Sequence, residues 1–342
     1  MSPSVYLSIL IPVHNQASLL NRLIQSIVSS PEFDDRCEIV ICDDGSRHPV
    51  SEQIQMGPRM SIMRHPVPMG AAAARNGAAT RAKGEILLFL DADTELVRGS
   101  ITHAIKRFKQ ETGLGALNGS AELDAANPQD GFTVQYRALL DYITTTLRAP
   151  MLCTFFTPRC SAIRRELFFK AGQFNTSFKG ATVEEYEFGY RLSQLIPIEL
   201  DRGMSISHNY VKFWKTNKNY CQRVRLWTQL FVMRRRFDNL GGCTANVGYG
   251  SVLALIWIPG LALPFPIGVY LFVLSFISLT YAYWDIFLNS LKLKGPTFFF
   301  KTVLATWWFC FPIVFGAGLG LLDHLRKPPS KKLSLNSQGK IL

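Results

Sequence analysis

No Asp, Glu, Lys, Arg or His occurs from Asn239 to Trp284, a run of 46 residues, and none from Thr302 to Leu322, a run of 21. About 20 apolar residues suffice to cross the hydrocarbon of a bilayer. Uncharged stretches of these lengths predict transmembrane helices within 239–325, and they exclude a wholly soluble protein, a disordered chain or a small disulfide scaffold. Two ways of counting the spans disagree. Length accommodates three, two of them turning at Pro264-Phe265-Pro266 and a third over Thr302–Leu322. Positive charge near span ends favours the cytoplasmic side, and the basic tail 326–342 sets Arg326, Lys327, Lys331, Lys332 and Lys340 against Lys292, Lys294 and Lys301 of the preceding loop. Exporting that tail opposes the stronger bias. Charge therefore favours an even number of spans, with the tail and the N-terminal domain both cytoplasmic, in a multi-pass protein of the cell membrane.

The net charge of +12 is not a nucleic-acid signature. Residues 1–211 hold 21 Lys and Arg against 22 Asp and Glu, whereas Lys212 to Arg236 hold eight basic residues and no acidic one. Those eight are interleaved with Phe213, Trp214, Tyr220, Trp227 and Phe231, as expected of a segment that meets anionic headgroups. Residues 212–238 read as a basic amphipathic juxtamembrane segment with membrane lipids as partner, and no nucleic-acid module accompanies it. The seven cysteines form no C-x-x-C pair and no Cys/His cluster of zinc spacing, which predicts reduced thiols. Met1 to Tyr6 carries no positive charge, and Leu7 to Val13 is short and interrupted by Ser8 and Pro12, unlike a signal peptide.

The first 211 residues alternate two periodicities. Ser8–Val13, Glu38–Cys42, Met60–Arg64, Glu85–Leu90 and Gly115–Leu123 read as strands; Ala17–Val28, Ala71–Ala82, Leu96–Lys109 and Phe132–Leu147 read as helices. A strand-to-helix passage follows around Phe155–Ala171, then a helix start at Glu184 and a strand near Ser205–Ser207. This order predicts an α/β domain with a mainly parallel, Rossmann-like sheet. Ligands of such sheets collect beyond the carboxyl ends of the strands, which singles out His14, Asn15, Asp43, Asp44, Asp91 and Asp93. No Gly-x-Gly-x-x-Gly follows the first strand and no Walker-type loop occurs, which argues against a dinucleotide enzyme and a P-loop NTPase.

Asp91-Ala92-Asp93 closes the most apolar strand, so two carboxylates two residues apart are held at a strand end. Mg²⁺ and Mn²⁺ favour oxygen ligands and bind through one or two carboxylates together with substrate phosphates. The motif thus suits a metal diphosphate. Its companions are Ser8-Ile9-Leu10-Ile11-Pro12-Val13-His14-Asn15, then Ile39-Val40-Ile41-Cys42-Asp43-Asp44-Gly45-Ser46, then Gly70-Ala71-Ala72-Ala73-Ala74-Arg75-Asn76-Gly77. In order, spacing and strand context the set resembles the inverting family 2 glycosyltransferases of the GT-A fold, over roughly residues 6–210.

That resemblance implies a nucleoside diphosphate sugar as donor and Mn²⁺ or Mg²⁺ as cofactor. It would turn Pro12, Asn15, Asp43 and Asp44 toward the base and ribose and put Arg75 and Asn76 on the nucleotide side. Asp93 would be the principal metal ligand, with Asp91 as its partner near the ribose or metal. The stretch from Thr182 to Leu192 matches the family's acidic pair followed by Arg-Leu, in which the second acid is the general base. Here the pair is Glu184-Glu185 where the family has Glu-Asp, which leaves Glu184, Glu185 and Glu187 to share the assignment, Glu185 first. His208 stands where related enzymes have a histidine at the metal or diphosphate. Gln222 to Trp227 is similar to the Gln-x-x-Arg-Trp motif of processive synthases but has one residue too many before Trp227. Phe155, Arg159 and Cys160 fall where the family shapes its acceptor pocket. The apolar C-terminal region implies a lipid-linked or saccharide acceptor at a membrane. Two alternatives stand beside this reading: a polyprenyl-phosphate glycosyltransferase, and a catalytically silent subunit that binds nucleotide sugar.

Overall fold

Leu7–Val13 forms the first strand, β1, and all but one of its seven residues are buried, which is why a largely apolar stretch, interrupted by Ser8 and Pro12, rather than an alternating one encodes it. Ala17–Val28 (α1) follows, with Leu20, Leu23, Ile24 and Ile27 buried at helical spacing on one face. The computed structural model describes residues 5–178 and 183–326, and these form two compact units. The tail expected at 327–342 and Thr182 of the acidic stretch lie outside the described residues.

The chain continues through β2 (Cys37–Asp43), β3 (Met60–Arg64), α2 (Ala71–Arg81), β4 (Ile86–Leu90), β5 (Thr94–Leu96), α3 (Ser100–Gln110) and β6 (Ala116–Ala121). After α4 (Phe132–Thr144) come β7 (Met151–Cys153), β8 (Cys160–Arg164), α5 (Arg165–Lys170), α6 (Glu184–Leu192) and β9 (Ile198–His208). The nine strands make one sheet in the order β3-β2-β1-β4-β8-β6-β9-β5, with β7 also on β9. Its first four strands are parallel, as the alternation predicts. The rest is mixed: β6 and β9 are parallel, whereas β8 runs against both β4 and β6 and the short β5 and β7 run against β9. The helix expected from Leu96 begins at Ser100 instead, because Thr94–Leu96 pairs with His208–Ile206 and Gly99, at φ +90°, turns the chain out of the sheet. This unit comprises residues 5–127 and 145–210, and its core draws on β1, β2 and β4 together with α1 and α3.

The second unit comprises Pro128–Thr144, hence α4, and residues 211–326. It contains α7 (Phe213–Arg234), α8 (Ala245–Leu253), α9 (Trp257–Gly260), α10 (Ile267–Ala282), α11 (Trp284–Lys294) and α12 (Pro296–Arg326). By length and composition α12 is a candidate membrane span. The pair α10 and α11 passes the same criterion only if a bend of 69° between them is allowed. Tyr136 of α4 donates to or accepts from Thr306 of α12 at 3.0 Å and stacks on Phe309, while Phe132 lies on Phe298.

Candidate active site

The carboxyl ends of β1, β2 and β4 open on a cleft of about 720 Å³ within the first unit. Pro12, His14, Asp44, Gly70, Arg75, Asp91 and Asp93 are among its lining residues. Pro12 is the penultimate residue of β1, His14, Asp44, Asp91 and Asp93 follow strand ends, and Gly70 and Arg75 stand at the start and in the second turn of α2, so the cleft lies beyond the carboxyl ends of the strands.

The two acids after β2 have distinct surroundings. Asp43 is buried, and its carboxylate accepts from the Ser46 and Val50 amides at 2.9 and 3.1 Å and from the Arg64 guanidinium at 2.6 Å. Burial works to raise its pKa, but those hydrogen bonds and the Arg64 charge outweigh it and hold the group below the usual carboxylate range. Asp44 accepts from the Met69 and Gly70 amides at 2.9 and 2.8 Å, and its Oδ1 lies 2.8 Å from His65 Nδ1. Asp44 thereby positions the start of α2, where Arg75 sits. Gly45 between this pair and Ser46 adopts φ +65°, and a Cβ there would fall 2.7 Å from the Pro68 nitrogen, so glycine is required.

Asn15 does not line the cleft. At φ +56° it ties the end of β1 to the Asp-Asp-Gly-Ser turn, its amide donating to Ser46 Oγ at 2.9 Å and its Oδ1 accepting from the Arg47 amide at 2.8 Å. Asn76 is likewise engaged elsewhere, bracketing Phe174 with a donated and an accepted backbone hydrogen bond of 2.8 and 3.0 Å.

Arg75 is the hinge of the charge arrangement. Its guanidinium donates to Asp91 at 2.7 Å and to Glu184 at 2.9 Å, and the Arg75 and Glu184 side chains are 3% and 2% exposed. Burial opposes the charge on Arg75, yet the two carboxylates hold its pKa above the ordinary guanidinium value. Glu187, the third acid of this stretch, is closed in a buried pair with Arg191 at 2.7 Å. Glu185 is the most exposed of the three acids, at 9%. Its backbone carbonyl accepts from Phe156.

Asp93 faces His208, at the end of β9, with Oδ1 3.3 Å from Nε2. Burial works to raise the Asp93 pKa, but His208 and then Arg159 outweigh it and hold the carboxyl low. The other ring nitrogen of His208, Nδ1, is buried without a hydrogen-bond partner. Among the described residues no three His, Cys, Asp or Glu side chains converge on one point. A cation here would thus have Asp93 and His208 at hand, with Asp91 held by Arg75 and no closed protein cage, which fits a hard ion that completes its shell with phosphate and water.

Residues 8–170 match the family model described as glycosyl transferase family 2. Over those residues, somewhat under half of its length, the chain is similar to the family 2 glycosyltransferases. The fold is GT-A-like: a mannosyltransferase from Pyrobaculum calidifontis, solved with GDP-Man and Mn²⁺, superposes with a TM-score of 0.58 at 15% identity, covering 94% of this chain and 88% of that one. GalNAc-T7, solved with UDP, GalNAc and Mn²⁺, gives 0.50 at 17% identity over 86% of this chain and 58% of that one. Among curated proteins, an uncharacterized glycosyltransferase of Haemophilus influenzae is 26% identical over 188 residues, 55% of this chain and 62% of the relative. A dolichyl-phosphate beta-glucosyltransferase of Trichomonas vaginalis is 33% identical over 100 residues, 26% of this chain and 31% of its own. The chain spans less than two thirds of the length of either curated relative.

Several cleft residues carry no signal in the sequence. Pro68, Met69 and Thr176 line the opening through chain geometry alone. Three of the motif positions farther along the chain have structural partners. Trp227 donates to Asp238 at 3.0 Å, Arg225 pairs with Asp323, and Cys160 is buried in β8, where burial pushes its thiol up to about 12.

Proposed function

We propose that the protein transfers a sugar from a nucleoside diphosphate sugar to a lipid-linked or saccharide acceptor, with inversion at the anomeric carbon, on the cytoplasmic face of the cell membrane. The observation that carries this reading is the cleft of about 720 Å³ in which Asp44, Arg75, Asp91 and Asp93 meet at the strand ends, a volume suited to a ligand of nucleotide-sugar size. Pro12 and Asp44 border the nucleoside, with Asn15 and Asp43 holding the turns that shape that wall. Arg75 contributes positive charge beside Asp91, and Asn76 holds the far side of α2.

Asp93, Asp91 and His208 would hold Mn²⁺ or Mg²⁺, which when bound neutralises charge on the diphosphate. Glu185 is the proposed base. It takes the proton of the acceptor hydroxyl as that oxygen attacks the anomeric carbon from the face opposite the diphosphate, whose bond to the sugar breaks. Glu185 comes first because it holds the second place of the acidic pair; Glu184 pairs with Arg75 and Glu187 with Arg191. A lipid phosphate as acceptor is a second reading. It is favoured by the likeness to the Trichomonas vaginalis dolichyl-phosphate enzyme.

The test is nucleoside diphosphate release by the detergent-purified chain, screened over UDP- and GDP-sugars with Mn²⁺ or Mg²⁺. Asp93→Asn removes one charge at constant shape and is expected to lower turnover at least 100-fold, the scale of losing a main transition-state electrostatic contact. Wild-type turnover in that variant, or no donor cleavage with any nucleotide sugar, would overturn the reading.

A further inference from the structure

The uncharged stretch folds as an antiparallel helical hairpin, with Ala245–Gly260 as one arm and Ile267–Ala282 as the other. The arms meet through small residues: a Cβ on Gly250 would lie 2.1 Å from that of Ala282, and one on Gly268 would lie 2.7 Å from the Gly260 carbonyl. Their polar groups turn inward. Ser251 Oγ lies 2.8 Å from Tyr283 Oη, and the Ala254 carbonyl accepts from Ser275 at 2.5 Å and from Trp307 Nε1 at 3.0 Å. What faces outward is mainly apolar, including Leu261 at 76% exposure and Phe265 at 85% on the turn, with Tyr249, Tyr270 and Tyr281 as its exposed aromatic hydroxyls. From Ile258 to Val269 there is no polar side chain that could hold the turn in water. Each arm of 16 residues is about 24 Å long, short of a hydrocarbon core of about 30 Å.

The long helix α12 adds a second, independent constraint. Its residues from Trp308 onward run parallel to α7: Trp308 Nε1 donates to Asn217 at 2.8 Å, Gly316 packs on the Cys221 carbonyl, Gly320 on that of Arg225, and Asp323 takes a bidentate pair from Arg225 at 2.5 and 2.8 Å. Paired residues share a depth. The α7 side of this seam exposes Lys215, Lys218 and Arg225, which belong in water or among headgroups. Only residues 296–307 precede the seam, about 18 Å of helix and too little to cross. On the opposite face of α12, Phe300, Leu304, Phe311, Phe315, Leu322 and Leu325 form one exposed apolar stripe, as on a helix lying in the interface.

We propose that this unit is monotopic: the hairpin dips into a single leaflet and returns, α12 lies along the same surface under α7, and the acyl chains of that leaflet are the partner. This rests on the membrane anchoring proposed above. It also removes the conflict between length and charge, since the end of α12 at Arg326 then needs no crossing to stay on the side from which the helix started.

The test places single cysteines in full-length protein with Cys221 and Cys243 changed to Ala, the other five cysteines being buried. The sites are Ser51→Cys in the N-terminal unit, Ala262→Cys on the turn, and Leu325→Cys at the end of α12. A membrane-impermeant maleimide is applied to intact cells and to inside-out vesicles. Ser51→Cys and Leu325→Cys are expected to label from the same side, and Ala262→Cys from neither until detergent is added. Phe265→Cys repeats the turn reading should Ala262→Cys fail to accumulate. Labelling of the turn, or of Leu325→Cys, from the side opposite Ser51→Cys would overturn the monotopic arrangement while leaving the transferase reading intact. Recovery of the chain in the soluble fraction would overturn anchoring itself.

Discussion

Replacing Arg75 should expose how much of the cleft depends on a buried charge. Arg75→Met leaves the Glu184 carboxylate, 2% exposed, without its guanidinium. Asp91, whose side chain is 28% exposed, can recover hydration instead. The cost therefore falls mainly on Glu184. Breaking a buried pair by removing one partner costs about 3–5 kcal/mol, because the remaining charge stays desolvated. Against a typical total of about 5–15 kcal/mol that is a large fraction. For a domain of this size each kcal/mol shifts Tm by about 2–4 °C, so the loss should be roughly 6–20 °C. The double variant Arg75→Met with Glu184→Met removes both charges, and apolar replacements for a buried pair are often neutral. It should recover most of the loss, giving a coupling of about 2 kcal/mol or more in a double-mutant cycle. The assay is thermal and urea unfolding of the detergent-solubilised chain at low and high salt. A single-variant loss below about 1 kcal/mol, or a double variant as unstable as the single one, would refute the argument that this pair is desolvated and coupled.

Glu185→Gln should lower transfer by about 10²–10⁴-fold while donor binding, measured by calorimetry with a nucleoside diphosphate and Mn²⁺, is retained. Glu184→Gln should act mainly on stability, and the reverse ranking would move the base to Glu184. Asp43 has its pKa depressed in the folded state, so its contribution is present above the ordinary carboxylate value and is lost as pH falls through the depressed one. Asp43→Asn should therefore destabilise the protein at neutral pH by about 1–3 kcal/mol and flatten the loss of stability on acidification below about pH 4, read by urea unfolding between pH 3 and 7. Gly45→Ala should cost more than about 1 kcal/mol, since φ +65° and the Pro68 nitrogen at 2.7 Å both oppose a Cβ; an unchanged Tm would contradict this.

Much of the N-terminal unit is legible in the chain because its strands are buried on both faces. Residues 9–13, residues 39–42 and Ile86–Leu90 are short apolar runs, and such a run ending in polar residues locates a strand end without tertiary information. The same logic places Pro12, Asp44, Asp91 and Asp93 at one edge of the sheet. Short strands escape it. Thr94–Leu96 and Met151–Cys153 have three residues each, too few for a period to register, and exist because β9 offers them partners.

What the local sequence alone determined is thus the strand-end edge, the GT-A pattern and the two uncharged stretches, since each depends on neighbours within about ten residues. Tertiary structure decided which charges meet. Arg75 and Glu184 are 109 residues apart, and Asp93 meets His208 only because β5 pairs with β9. It also bears on the membrane arrangement proposed for the apolar stretches. Hydropathy counts the length of α12 but is blind to the helix beside it, and in the monotopic arrangement proposed above the depth of α12 would be set by Arg225 on Asp323 and by two glycines that admit the α7 backbone. Depth in a bilayer is a property of packed neighbours, because a charge on one helix constrains every residue paired with it.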